Sequence, residues 1–268
     1  MFGVRNRSHR TPLGICRAFL DAVFPPSCVV CGRYYRFDPA DKGGNLSTFH
    51  QVAAPFICGS CRSEIVRIDS PVCIQCGLPF ISRQGEDHLC GDCIKTKKHF
   101  RTARAQAVYD GALVKAIHIF KYGKKTRLAE PLGLLVCETF FRFWDKESID
   151  LIIPVPLHIQ RLRQRGFNQA ALLCSRWADR DGITYDARVL KRQKKTLPQT
   201  TLTKKERRKN IRGAFALRFP QRVKGKRILL VDDVYTTGST VNECARVLKR
   251  GKASVVDVLT LARAVDRL

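Results

Sequence analysis

No run of 18 or more apolar residues occurs in this 268-residue chain, so a membrane-spanning helix is not expected. A clean secretory signal is missing as well. The apolar stretch at residues 15–24 is broken by Arg17 and Asp21, and no small-residue cleavage site follows. Residues 13–24 read instead as a short amphipathic helix lying on the next domain. These absences predict a cytoplasmic protein. In that reducing compartment its 12 Cys are not expected to build a disulfide framework. Acidic residues are scarce: 23 Asp and Glu face 49 Lys and Arg, a net charge of +26. Residues 1–100 hold 13 basic and 8 acidic side chains, so residues 101–268 hold the remaining 36 and 15, or +21. Within residues 188–227 there are 16 basic side chains and one acid, Glu206, which makes +15. A strongly anionic partner follows, although charge alone does not separate a small polyphosphate from a polymer. The apolar content of 44% is ample for one or two domains with real cores.

Eight of the Cys fall in four CxxC pairs: Cys28/Cys31, Cys58/Cys61, Cys73/Cys76 and Cys90/Cys93. A CxxC knuckle turns two thiolates toward one tetrahedral ion, and two knuckles complete a four-cysteine site. Gly32 and Gly77 follow the first and third pairs, where a tight turn favours positive φ. Consecutive pairing leaves 26 residues between the first two knuckles and 13 between the last two. The shorter spacing suits a compact zinc ribbon, and residues 38–47 read as a loop inserted into the longer one. Two structural Zn²⁺ are expected. Interleaved pairing stays open, and a redox role fits four pairs in series poorly. His50, His88 and His99 lack ligand-like spacing and read as surface residues. Cys16, Cys137, Cys174 and Cys244 sit in apolar helical patterns and read as small core residues.

Beyond Cys93 a basic linker (residues 95–104) leads into alternating strands and helices. Strands are expected at 105–109, 151–153, 228–231 and 254–261, and helices at 111–122, 128–144 and 166–179, with another after Thr240. Residues 161–165 read as a basic loop. A segment without apolar period runs from Leu190 to Ala214. Such alternation predicts a parallel α/β sheet, with ligands held beyond the strand C-termini. Apart from the knuckles there is no internal repeat.

The most informative segment is residues 228–240. Four apolar residues, Ile228 to Val231, read as a buried parallel strand. They run into Asp232 and Asp233, then into a turn of Thr236, Thr237, Gly238, Ser239 and Thr240 that opens a helix. A strand–loop–helix of this kind aims backbone N–H groups and a helix N-terminus at one point, which suits a phosphate. The two acids would repel that phosphate. They suit the vicinal hydroxyls of a sugar or a hydrated Mg²⁺. Phosphate, diol and metal on one ligand describe a phosphorylated ribose.

The segment resembles the phosphoribosyl-pyrophosphate (PRPP) loop of type I phosphoribosyltransferases. That likeness implies that Asp232 and Asp233 contact the ribose hydroxyls and that Thr236 to Thr240 wrap the 5′-phosphate, with Mg²⁺ bound alongside PRPP. The chain as a whole resembles the ComF family. The resemblance is carried by Phe24-Pro25-Pro26-Ser27-Cys28, the CxxC pairs, Phe120-Lys121-Tyr122 and Pro154-Val155-Pro156-Leu157. It continues in Arg165-Gly166-Phe167-Asn168-Gln169 and the spaced Thr196, Gln199, Leu202, Arg207, Asn210 and Phe215. It implies an N-terminal double zinc ribbon followed by a type I phosphoribosyltransferase-like domain. The boundaries expected are residues 1–25 for an N-terminal segment, 26–99 for the ribbons and 100–268 for the α/β domain. It also implies a pyrophosphate loop with Pro154, Val155, Pro156, Arg161, Arg163 and Arg165. A flexible loop over residues 191–212 would contribute Arg192, Thr196, Gln199 and Arg207. A link to DNA uptake follows, with single-stranded DNA, a competence helicase-type protein or a second copy as candidate partners.

Transfer from PRPP would need cations to neutralise pyrophosphate and a lid to exclude water. No side chain stands out as a base for the acceptor. The sequence runs seven residues past Leu261, which leaves no hood for a nucleobase. A non-catalytic PRPP-binding protein that handles DNA is therefore the alternative, and a zinc-dependent interaction module on a degenerate fold is a third reading.

Overall fold

The computed structural model describes residues 26–36, 48–82, 84–123, 125–194 and 204–265. The helix expected at 13–24, together with Cys16, lies outside the described residues.

The Cys module contains three short helices, α1 (Thr48–Ala53), α2 (Gly59–Ser63) and α3 (Gly91–Lys95). Cys58 and Cys90 stand at the N-caps of α2 and α3 in extended conformation. The next Cys of each pair then falls within the first turn. The other two knuckles reverse at Gly32 (φ +73°) and Gly77 (φ +67°). Only glycine fits at Gly77 for a second reason: a Cβ there would lie 2.5 Å from the Ala103 carbonyl oxygen.

The α/β part follows in chain order. Strand β1 (Ala103–Val108) leads to α4 (Gly111–Tyr122) and α5 (Ala129–Phe143), then β2 (Leu151–Pro154). Next come α6 (Ile159–Arg165), α7 (Gln169–Arg180), β3 (Leu190–Arg192), α8 (Lys204–Ile211) and β4 (Phe215–Leu217). The last elements are β5 (Arg227–Tyr235), α9 (Ser239–Arg250) and β6 (Val255–Arg263). Four strands make one parallel sheet in the order β1-β6-β5-β2, with Asp232 paired to Thr260 across β5 and β6.

Successive strand residues point to opposite faces. Leu229, Val231, Leu259 and Leu261 join one core with α4, α5 and α7, where Phe120 and Phe140 are fully buried. Burying each such aromatic contributes about 1.5–3 kcal/mol. Ile228, Leu230, Val256 and Val258 join the other core with α9. The Cys module is divided between the same two cores. Cys28, Cys58, Cys61 and Phe49 belong to the first, and Cys73, Cys76, Cys90, Cys93 and Phe100 to the second. Asp257, buried on β6, accepts from Arg101 Nε at 3.0 Å and Trp144 Nε1 at 3.0 Å, and so clamps the linker and the end of α5 to the sheet.

Two expectations change. Residues 161–165 are helical rather than a loop. His158 accepts from the Gln160 amide at the N-terminus of α6, and Gly166 (φ +84°) ends it. Arg, Gln and Leu are good helix formers, so a charged segment can be helical without an apolar stripe. The aperiodic stretch after Leu190 is also partly regular. β3 and β4 pair antiparallel, Arg192 opposite Phe215, and α8 lies between them in sequence.

Candidate functional site

A cleft of about 510 Å³ opens beyond the C-terminal ends of β2 and β5. Its lining includes Asp232, Asp233, Thr236, Gly238, Ser239 and Thr240 from the β5–α9 connection. Val155, Pro156, Arg161 and Arg165 line another wall, and Arg192 a third. Lys121, Tyr122, Gln164 and Gln169 also line it, as do Leu157, Val234, Tyr235 and Val241.

The acid pair straddles the sheet edge. Ile228 and Leu230 on β5 face α9, and Asp232 continues that side toward Arg192 and Cys244; burial, and then the Asp232 charge, push the Cys244 thiol up. Leu229 and Val231 face α4 and α7, and Asp233 on that side meets Lys121 and Gln169. Both acids are buried. Asp233 is ion-paired with Lys121 and accepts from Gln169 Nε2 at 3.4 Å. Burial pushes its carboxyl up, but the Lys121 charge and hydrogen bond outweigh this and hold it below the usual range. Asp232 goes the other way. Burial first, then the neighbouring Asp233 charge, raise its carboxyl well above the usual range. The pair thus divides one negative charge unevenly, as expected for adjacent buried carboxylates.

The hydroxyl-rich loop is turned by Gly238 (φ +72°), the N-cap of α9. Thr237 and Ser239 hydroxyls lie 2.8 Å apart. The N-terminus of α9 therefore meets the cleft with its first-turn backbone amides, the Ser239 amide donating weakly to Thr237 Oγ1 at 3.4 Å, and a helix N-terminus is an arrangement that suits phosphate. Opposite, the Pro154–Pro156 turn is fixed by Val155 N donating to Val231 O at 2.8 Å and Asn168 Nδ2 donating to Val155 O at 3.1 Å. Asn168 also caps α7, accepting from Ala170 N at 3.1 Å. Arg165 bonds Gln169 and stacks 5.0 Å from the centroid of the exposed Tyr122 ring. Arg192 lies over Phe215 at 5.5 Å; burial lowers its pKa, yet a guanidinium stays charged.

Most of the residues singled out from sequence meet in this cleft. Pro154 ends β2 beside it without lining it, Arg163 points outward on α6, and Thr237 lines a neighbouring pocket with Asn242 and Arg246. Thr196 and Gln199 lie outside the described residues, and Arg207 falls on α8 with its side chain undescribed. Lys121 and Gln169 were not among the expected site residues. Their signal was a Lys closing an otherwise apolar helix face after Phe120, and a Gln opening a helix next to a capping Asn.

The Cys side chains form two tight clusters, Cys28/Cys31/Cys58/Cys61 and Cys73/Cys76/Cys90/Cys93, each with all Sγ atoms within 4.8 Å of one another. Pairing is consecutive. Sγ separations of 3.8 Å (Cys31–Cys58) and 3.7 Å (Cys76–Cys90) match the edge of a tetrahedron with Zn–S bonds of about 2.3 Å. Amides of Cys58, Cys76 and Cys90 donate to Cys Sγ atoms at 3.3–3.4 Å, as thiolate ligands require. His88 is not a ligand; it stacks on Phe80 with centroids 3.9 Å apart. Cys137, Cys174 and Cys244 are buried in the cores.

A parallel sheet with a strand–acid pair–hydroxyl loop–helix unit, preceded by two four-cysteine knuckle clusters, defines a zinc-ribbon protein with a phosphoribosyltransferase-type domain. Known proteins agree. The sequence matches the double zinc ribbon domain over residues 19–94 and the phosphoribosyl transferase domain over residues 166–267. It is 37% identical over 216 residues to the DNA utilization protein YhgH of Escherichia coli O157:H7, covering 78% of this chain and 91% of that one. Competence protein F of Haemophilus influenzae is 33% identical over 86% of this chain and 99% of its own. Competence protein ComFC of Bacillus subtilis is 28% identical over 78% of this chain and 84% of its own. The chain belongs to the ComF family.

Proposed function

We propose that the cleft binds PRPP together with Mg²⁺, and that the protein transfers phosphoribose from it to an acceptor still to be identified. The observation that carries this is the placement of a buried acid pair beside a helix N-terminus on one wall of a ligand-sized cavity, with Arg161 and Arg165 on another wall. The 5′-phosphate would sit on the amides and hydroxyls of residues 236–240. Asp232 and Asp233 would hold the ribose 2′- and 3′-hydroxyls. Burial and the Asp233 charge raise the Asp232 carboxyl, which favours its donating to one hydroxyl while Asp233 accepts from another. Arg161, Arg165, Arg192 and Lys121 supply positive charge to the departing pyrophosphate side. Carboxylate oxygens at a cleft wall fit Mg²⁺, which when bound would neutralise phosphate charge. The two four-cysteine clusters fit two structural Zn²⁺.

A second reading has its own support. Among the described residues of the +15 segment, only Arg192 lines the cleft, while Lys191, Lys194, Lys209, Arg212 and Arg218 are exposed. PRPP leaves that surface unused. Together with relatives named for competence and DNA utilization, this supports a PRPP-binding protein that handles single-stranded DNA in the cytoplasm.

The test is calorimetry with PRPP, with and without Mg²⁺, on the native chain and on Asp232→Asn/Asp233→Asn. Binding should be lost in the double variant, and equal affinity would remove the ribose assignment. A scan of nucleobases and amines for pyrophosphate release then separates the catalytic reading from the binding one.

A further inference from the structure

A line of buried contacts runs from the second cysteine cluster to the hydroxyl-rich loop. Arg263, the last residue of β6, is 5% exposed. It donates from Nη1 to the Cys76 carbonyl at 2.6 Å and from Nη2 to Cys76 Sγ at 3.2 Å. Its guanidinium carbon lies 4.2 Å from the centroid of the Tyr235 ring. Tyr235 ends β5, is 4% exposed, and meets Phe100 edge-on at 6.4 Å. Its hydroxyl and ring fill the space beside Gly238, where any added Cβ would overlap them. The phosphate loop therefore turns against Tyr235, and Tyr235 rests against the guanidinium that grips Cys76.

Charge gives this line a direction. Among the described residues Arg263 has no carboxylate in ion-pair range. A buried cation needs a counter-charge. An occupied zinc site with four thiolate ligands carries a net charge of about −2 and supplies it. A parallel tether runs from the same ribbon: Lys98 pairs with Asp92 of α3 at 2.5 Å, and the next amide, His99 N, donates to Asn242 Oδ1 in the first turn of α9 at 2.7 Å. The first cysteine cluster sits in the core on the opposite face of the sheet, away from Arg263 and Cys76.

We propose that Arg263 and Tyr235 are positioning residues that couple occupancy of the Cys73/Cys76/Cys90/Cys93 site to the shape of the 236–240 loop, making the second zinc site a regulator of ligand affinity in the cleft. The affinity part rests on the PRPP reading above; the loop part does not. The coupling is expected to be about tenfold, within the roughly 5–150-fold range of linked sites. Linkage is reciprocal, so PRPP should tighten zinc at the second site by the same factor and leave the first unchanged.

The experiment uses the full chain and compares the native protein with Arg263→Met and Arg263→Lys. Zinc content, amide exchange at residues 236–240 without ligand, and PRPP affinity with Mg²⁺ are read on each. Arg263→Met should keep two zinc ions, exchange about tenfold faster in the loop and bind PRPP about tenfold more weakly. Arg263→Lys, which keeps a cation beside Cys76, should recover part of both effects. Competition with a chromophoric chelator should show one of the two zinc ions held more tightly in the presence of PRPP. Unchanged loop exchange in a two-zinc Arg263→Met protein overturns the proposal. If that variant loses zinc or fails to fold, Tyr235→Leu decides: two zinc ions with faster loop exchange support the coupling, and unchanged exchange refutes it. Native protein that does not bind PRPP removes the phosphate reading, while the exchange comparison still settles the coupling.

Discussion

At Asp233 the Lys121 ammonium outweighs burial, whereas at Asp232 burial and the adjacent charge act together. The two neighbours should therefore respond oppositely to mutation. Asp232 holds its proton in the folded protein above the range where a free carboxyl lets go. Its stabilising contribution is complete at acid pH and is lost as pH rises from the free-carboxyl range to its raised value. Asp233 contributes above the free range and loses that contribution as pH falls through its lowered value. Asp232→Asn should then raise the stability of the ligand-free protein at pH 8 and change it little at acid pH. It should flatten the loss between pH 5 and pH 8. Asp233→Asn strips Lys121 of its partner and should cost about 3–5 kcal/mol. Urea midpoints at both pH values measure this, and equal losses in the two variants would show that the charge is not divided as described.

The helices and strands of the Cys module bear a different prediction. Each four-cysteine cluster is the centre of a ribbon that joins one face of the sheet, and structural zinc supplies much of the folding energy of such modules. Elemental analysis of reduced protein should return two zinc ions per chain. Cys28→Ser and Cys73→Ser should each return one, with faster amide exchange confined to α1 and α2 in the first variant and to α3, the start of β1 and the coupled loop at residues 236–240 in the second. Loss of both ions from either variant would mean that the ribbons fold as one unit. At this scale much was legible in the sequence. Ile228 to Val231 announced a two-sided buried strand because burial on both faces demands an unbroken apolar run. CxxC spacing announced the knuckles because the chelate geometry fixes it. What stayed hidden depends on contacts distant in sequence. α6 is charged along its length and owes its limits to the His158 cap and to Gly166. β3 and β4 are three residues each and exist only as a pair. Lys121 meets Asp233 only after α4 folds against β5, and nothing in the local sequence marks that pairing.

For the molecule as a whole, the question is what the surplus positive charge is for. Residues 188–227 carry +15, and their described cations divide into three groups. Arg192 enters the cleft; Arg188 and Arg222 lie beside Asp186 and Arg227 beside Asp150; Lys191, Lys194, Lys209, Arg212, Arg218, Lys224 and Lys226 face solvent. A cleft for one PRPP needs few cations, so the solvent-facing group points to a longer anion. A single strand contacting such a surface releases counterions, and the logarithm of its affinity falls against log salt with a slope of about −0.7 per phosphate contacted. Single-stranded DNA should therefore bind with little sequence preference and weaken steeply between low and physiological salt. Changing Lys194, Lys195, Lys204 and Lys205 together to Glu should weaken DNA binding and make that slope shallower by up to about 3. PRPP affinity should change far less, because the phosphate loop at residues 236–240 is untouched. If these residues serve only as a lid, the result reverses: PRPP turnover falls and both DNA affinity and its salt slope stay where they were. Fluorescence anisotropy on a labelled oligonucleotide over a salt series, run beside PRPP calorimetry on the same preparations, distinguishes the two.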